Sequence, residues 1–234
     1  MIKGTLFLIP TYLSEASSDT ILNINKEIVF DLEHFIVESL KTARRNLRAM
    51  GYKKNFDTEV SFFEWNKHGS NAIHQWLAPC ESGKSVGLLS ESGTPCIADP
   101  GNLVVREAHK KGIKVVPLVG ANSIILALMA SGFNGQHFTF HGYLPINSGE
   151  RIQQIKKLEE LAKRTDYTQI FMETPFRNTS LIRDLLATLH PQTMLHISCD
   201  LTLPTEETKT MKVADWKHDE NHFNKRYCIY AIGE

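Results

Sequence analysis

Short runs of β-branched and aromatic residues alternate with amphipathic stretches along the whole of this 234-residue chain. The runs predict strands over Thr5–Ile9, His34–Glu38, Ser85–Ser90, Lys114–Leu118, His137–Leu144, Thr168–Glu173, Thr193–Cys199 and Arg226–Gly233. Apolar positions spaced three and four apart predict helices over Thr42–Met50, Asn71–Leu77, Leu103–Lys111, Ser123–Ala130, Glu150–Lys163 and Thr179–Leu189. Ile21–Asp31 fits neither period well. Such alternation is the order of parallel-type α/β layers. No repeat or low-complexity linker interrupts it, so any domain boundary is tight. The boundary is placed at Val119-Gly120-Ala121, where a glycine precedes the polar cap candidate Asn122. The expectation is two α/β domains, residues 1–119 and 120–234.

Composition narrows the class. Hydrophobic residues make up 42% and charged residues 22%, as in ordinary globular proteins. The 26 basic and 26 acidic side chains cancel, so no global field draws the molecule to nucleic acid or an anionic membrane. Cys80, Cys96, Cys199 and Cys228 lack zinc-site spacing and disulfide density, and read as reduced, mostly buried thiols. The apolar run at the N-terminus is too short for a signal peptide and no later run spans a bilayer. A cytoplasmic location is expected.

The segment richest in chemistry is Leu89-Ser90-Glu91-Ser92-Gly93-Thr94-Pro95-Cys96-Ile97-Ala98-Asp99-Pro100-Gly101, between an apolar strand and a helix. Ligands of open α/β sheets bind at strand ends. Gly93 and Gly101 open backbone conformations closed to other residues, and Ser90, Ser92, Thr94 and Asp99 add polar groups. Asp99-Pro100-Gly101 by itself reads chiefly as a turn before a helix, a reading that the length and context of the loop weaken. There is neither a G-x-G-x-x-G nor a P-loop fingerprint. Val115–Ser123 repeats the sequence of strand, glycine turn and polar helix start. Ile170–Arg177 ends a strand in Met172, Glu173, Thr174 and a stopping Pro175, with Glu173 open to a ligand or to a neighbouring backbone.

Other clusters carry less. His137 and His141 share a strand face about 13 Å apart, too far for one metal. His218 and His222 flank what reads as a solvated loop. Lys41, Arg44, Arg45, Arg48, Lys53 and Lys54 form the densest basic stretch, a solvated helix face or a phosphate contact surface. No catalytic triad or nucleophilic cysteine motif can be assembled from spacing.

Together these loops resemble the tetrapyrrole methylases, class III methyltransferases, in the branch of ribosomal RNA small-subunit methyltransferase I. Gly4–Thr11 is similar to the opening strand and Pro-Thr turn of that branch. Ser90–Gly101 resembles S-D-A-G-T-P-x-I-S-D-P-G, and Val116–Ser123 resembles V-P-L-P-G-P-S. Phe140-His141-Gly142-Tyr143-Leu144-Pro145 is similar to F-x-G-F-L-P, and Phe171–Arg177 to F-Y-E-S-P-H-R. The resemblance implies two α/β domains of the tetrapyrrole methylase type with a cofactor cleft between them. It implies a homodimer, S-adenosylmethionine as donor and no metal. The cofactor-binding residues it suggests are Pro10, Ser90, Ser92, Gly93, Thr94, Ala98, Asp99, Gly120, Asn122, Ser123, Met172 and Glu173.

The branch methylates a cytidine ribose 2′-hydroxyl in small-subunit ribosomal RNA, and Glu38 and Asp99 are the candidate catalytic residues for that acceptor. Three departures bear on the acceptor. A-E-D-T-R becomes Val37-Glu38-Ser39-Leu40-Lys41, P-T-P-I-G-N-L becomes Pro10–Ala16, and R-E-L-T-K becomes Cys199–Leu203. The alternatives are a methylase of a tetrapyrrole or other small metabolite, or a donor-binding module without turnover.

Overall fold

The computed structural model describes residues 2–65, 73–216 and 221–234. The chain divides into two compact units, Met1–Asn122 and Ser123–Glu234, a division three residues beyond the expected one. The expected helix Asn71–Leu77 begins in the undescribed stretch. Its described part forms α3 (Ile73–Trp76), followed by α4 (Ala78–Glu81).

In the first unit β1 (Thr5–Ile9), β2 (His34–Val37), β3 (Ser61–Glu64), β4 (Val86–Leu89) and β5 (Lys114–Pro117) form one sheet in the order β3-β2-β4-β1-β5. Every pairing in it is parallel. Parallel strands need crossovers, and these cover both faces, so the strands read as continuous apolar runs. On one face Ile9, Phe35, Val37 and Leu89 meet Val29 of α1 (Asn23–Asp31) and Leu47 and Met50 of α2 (Leu40–Met50). On the other, Leu6, Ile36, Val86 and Leu88 meet Ile73, Trp76, Cys80 and, from α5 (Asn102–Lys110), Val104 and Ala108. Each fully buried side chain such as Leu6 or Phe35 contributes about 1.5–3 kcal/mol. Ser39 caps α2 by accepting from the Thr42 amide at 3.3 Å, and Gly51 ends it in the left-handed region at φ 97°.

The second unit departs from the parallel expectation. Its sheet runs β6 (Phe138–Tyr143), β7 (Thr168–Glu173), β10 (Cys228–Gly233), β8 (Met194–Cys199), β9 (Glu207–Lys212). Only β6 and β7 are parallel; the other three pairings are antiparallel. The short link of residues 200–206 between β8 and β9 admits a hairpin and no crossover helix, and β10 enters between β7 and β8 running against both. α7 (Ser148–Thr165) and α8 (Asn178–Thr188) supply Ile155, Leu158, Leu181 and Leu185 to one core. α6 (Ser123–Ser131) packs Ile124, Ala127 and Leu128 against Ile170, Ile229 and Ala231. Among the described residues no helix is long and apolar enough to cross a membrane.

Candidate active site

In a parallel sheet the carboxyl ends of all strands lie on one side, so the segments after β1, β2, β4 and β5 gather there. Hydrogen bonds join them. The Ser90 amide donates to the Ile9 carbonyl at 3.2 Å, and the Thr11 amide donates to the Gly93 carbonyl at 2.9 Å. The Ser92 hydroxyl donates to the Leu13 carbonyl at 3.2 Å, and the Asn46 amide to the Glu91 carbonyl at 3.3 Å. The Asn122 side-chain amide reaches the Thr94 hydroxyl at 2.6 Å. Gly120 lies so close to Pro10 that a Cβ on it would stand 2.3 Å from the proline ring.

The Ser90–Gly101 loop is held in an uncommon backbone shape. Gly93 and Gly101 take φ of 74° and 132°, and Cys96 and Ala98 take 69° and 56°. Non-glycine residues rarely adopt positive φ, and clusters of them mark ligand clamps and active sites. A Cβ on Gly93 would meet the Leu13 side chain at 3.1 Å and the Ala121 carbonyl at 3.2 Å.

Three carboxyls accompany this loop. Burial pushes Asp99 up to about 6; its contact with Ser90 opposes the rise, and the Glu38 and Glu91 charges, with a hydrogen bond to Glu38, reinforce it. Burial also raises Glu91, against a hydrogen bond from Thr42. Glu38 itself is exposed just past β2. The two candidate catalytic residues thus meet beside the loop, Glu38 from just past the end of β2 and Asp99 from the segment after β4.

Pro10, Ser90, Ser92, Gly93, Thr94, Ala98, Asp99, Gly120 and Asn122 all lie on these first-unit segments. Ser123 opens α6, and Met172 and Glu173 end β7, in the second unit. Glu173 is fully buried and bonded at home: one carboxylate oxygen accepts from the Thr174 amide at 2.6 Å and from Arg177 at 2.5 Å, while the other has no partner among the described residues. The sequence reading missed Thr11, Asn46 and Glu91. Thr11 was visible in the Pro-Thr turn; the other two needed the tertiary contacts.

The remaining clusters are occupied by structure. The Arg44 guanidinium bonds Asp57 at 2.8 Å and lies over Phe56 and Phe62; Arg45 pairs with Glu15 at 2.5 Å. Arg48 stacks 3.9 Å over Phe56 and donates to backbone carbonyls of Tyr52 and Lys54. His137 stacks on Tyr167, and His141 bonds Gln169 at 2.8 Å. His218 lies outside the described residues, and His222 bonds Glu207 at 2.6 Å. Among the described residues no group of three ligating side chains could hold a metal.

The family model for tetrapyrrole (corrin/porphyrin) methylases matches residues 26–216. The chain belongs to this family. Ribosomal RNA small subunit methyltransferase I of Halalkalibacterium halodurans is 30% identical over 99% of the chain and 76% of its own length. Its Bacillus subtilis counterpart is 30% identical over 98% and 75%. The Vibrio cholerae protein of the same name reaches 39% over 76% of this chain, a span that is 62% of its own length. Among solved structures, the methyltransferase CobJ superposes with TM-score 0.62 at 16% identity, over 99% of this chain and 94% of that one. The cobalt precorrin-4 methyltransferase CbiF gives 0.60 at 12%, over 98% and 94%. These superpositions show the fold of a two-domain tetrapyrrole methylase, and the family makes the chain a methyltransferase.

Proposed function

We propose that this methyltransferase uses S-adenosylmethionine to methylate the 2′-hydroxyl of a cytidine ribose in small-subunit ribosomal RNA. The observation that carries the donor is the Ser90–Gly101 loop, with four left-handed residues over twelve positions. Such a loop exposes backbone amides and carbonyls to a close-fitting ligand. Three carboxyls beside it suit a donor that carries positive sulfonium and ammonium groups. The acceptor rests on the names of relatives that span nearly the whole chain.

When bound, S-adenosylmethionine supplies an electrophilic methyl group on a sulfonium that is an excellent leaving group. The chain's task is alignment and exclusion of water. Pro10, Ser90, Ser92, Gly93, Thr94, Ala98, Gly120 and Asn122 would hold the donor in the first unit. The resemblance also gives Ser123, Met172 and Glu173, which lie in the second unit, to the donor. Asp99, with Glu38 beside it, takes the ribose hydroxyl proton as the oxygen becomes the nucleophile. A carboxyl poised at about 6 is ionised at neutral pH and more basic than an ordinary aspartate. No metal enters this scheme. The protein acts as a homodimer in the cytoplasm; light scattering tests the dimer, which predicts twice the 26.5 kDa chain mass, and a mass of one chain would contradict it.

A second reading, methylation of a small tetrapyrrole or related metabolite, is favoured by the balanced charge and by the protein partners of Arg44, Arg45 and Arg48. Calorimetry with S-adenosylmethionine in the presence of a chelator tests the donor. Saturable binding supports it, and no heat at millimolar ligand contradicts it. Methyl transfer to under-methylated ribosomal subunits supports the RNA acceptor. Transfer to a precorrin alone supports the second reading, and binding without transfer to either points to a module without turnover.

A further inference from the structure

Thr11 follows β1 by two residues and is 2% exposed, yet its hydroxyl has no hydrogen-bond partner among the described residues. Buried hydroxyls are nearly always bonded, and an orphan is destabilising. Packing does not require it. Valine has the same branched shape and fills the same space without a polar atom to desolvate.

The segment that carries Thr11 has little freedom to bring its hydroxyl to another protein group. Its own amide is bonded to the Gly93 carbonyl at 2.9 Å. The next residue, Tyr12, donates from its phenol to Asn46 at 2.6 Å, and Leu13 accepts from Ser92 at 3.2 Å. Residues 11–13 are therefore fastened to residues 91–93, the part of the loop that includes left-handed Gly93. Among the described residues the other orphaned buried polar atoms belong to His34, Arg44, Glu173 and Trp216. None of them lies on the joined segments that follow β1, β4 and β5.

We infer that the Thr11 hydroxyl completes its hydrogen bonding with the methyl donor, as a further binding residue beside the Ser90–Gly101 loop. The inference rests on the donor reading above. It makes Thr11 a residue retained for the ligand at a cost to the unliganded fold, which separates it from one retained for packing. A hydroxyl both donates and accepts, so it can serve a carboxylate, a ribose hydroxyl or a ring nitrogen of the donor.

The test compares Thr11→Val and Thr11→Ser with wild type, by calorimetry with S-adenosylhomocysteine and by thermal unfolding without ligand. Thr11→Val should bind about tenfold more weakly, since one ligand hydrogen bond is lost. Its unliganded midpoint should equal or exceed that of wild type. Thr11→Ser, which keeps the hydroxyl, should bind within about threefold of wild type. Undiminished affinity in Thr11→Val would overturn the assignment. So would a lowered unliganded midpoint or loss of folding, which would reveal a protein partner for the hydroxyl. Failure of the wild-type protein to bind would instead overturn the donor reading, and this assignment with it.

Discussion

The Asn122 side chain donates to the Thr94 hydroxyl at 2.6 Å and so ties the segment after β5 to the loop after β4. The two residues are 28 apart in sequence, and each lies on a segment assigned to donor binding. Their bond ties the loop down before any ligand arrives, which under the proposed donor site makes it a preorganising contact.

Removing either end should loosen the same loop. Asn122→Ala and Thr94→Val are each expected to weaken donor affinity about five- to tenfold, and the double variant little further, because one bond is lost in all three. Calorimetry on the cycle checks this. Fully additive losses would show that the residues act separately.

The glycines divide by mechanism. Gly93→Val puts a branched side chain at φ 74°, against Leu13 and the Ala121 carbonyl, at a backbone cost of about 1–2 kcal/mol. Donor affinity should fall while the fold persists. Gly120→Ala places a methyl 2.3 Å from the Pro10 ring and should lower the thermal midpoint as well. Equal donor affinity in folded Gly93→Val protein would remove Gly93 from the site.

Glu173 and Arg177 give a stability prediction. The carboxylate is fully buried, and its ion pair at 2.5 Å is with a partner three-quarters buried. Arg177→Gln leaves a buried charge uncompensated and should cost about 3 kcal/mol. Glu173→Gln, which removes the charge itself, should cost less. Denaturant unfolding of both variants settles the order.

Much of this was legible in the sequence. Thr5–Ile9 and Thr168–Glu173 are strands with the expected bounds because they are apolar runs ended by Pro10 and by Pro175. β9, Glu-Thr-Lys-Thr-Met-Lys, escaped notice: as an edge strand it pairs only with β8 and needs no apolar face. β3 is four residues at the other sheet's edge. α1 was ambiguous because Ile24 faces solvent while Asn25 is buried, its amide bonded to the Val119 carbonyl at 2.7 Å. Such tertiary bonds leave no period. The site's loops were readable as glycine and hydroxyl clusters after strands. The left-handed Cys96 and Ala98, and the meeting of Glu38 with Asp99, were not, since nothing in residue type announces them.

Asp99 links stability to pH. Its folded value of about 6 lies above the ordinary 3.8, so the folded state holds the proton more tightly. The resulting stabilisation is complete below about pH 4 and is lost as pH rises through about 6. Asp99→Asn should therefore unfold at a higher temperature than wild type at pH 7.5, with the difference vanishing near pH 4. A variant less stable at pH 7.5 would contradict the assignment. Methyl transfer by wild type should rise through pH 6 as the carboxyl ionises and be largely lost in Asp99→Asn.

The central claim is methyl transfer to a ribose. It is tested by incubating the protein with methyl-labelled S-adenosylmethionine and under-methylated small ribosomal subunits, then hydrolysing the recovered RNA in alkali. A 2′-O-methyl group blocks cleavage of the adjacent phosphodiester, so the account predicts label in an alkali-resistant dinucleotide that begins with cytidine. Label released in single nucleotides, or no label in the RNA beside an active control enzyme, would contradict it.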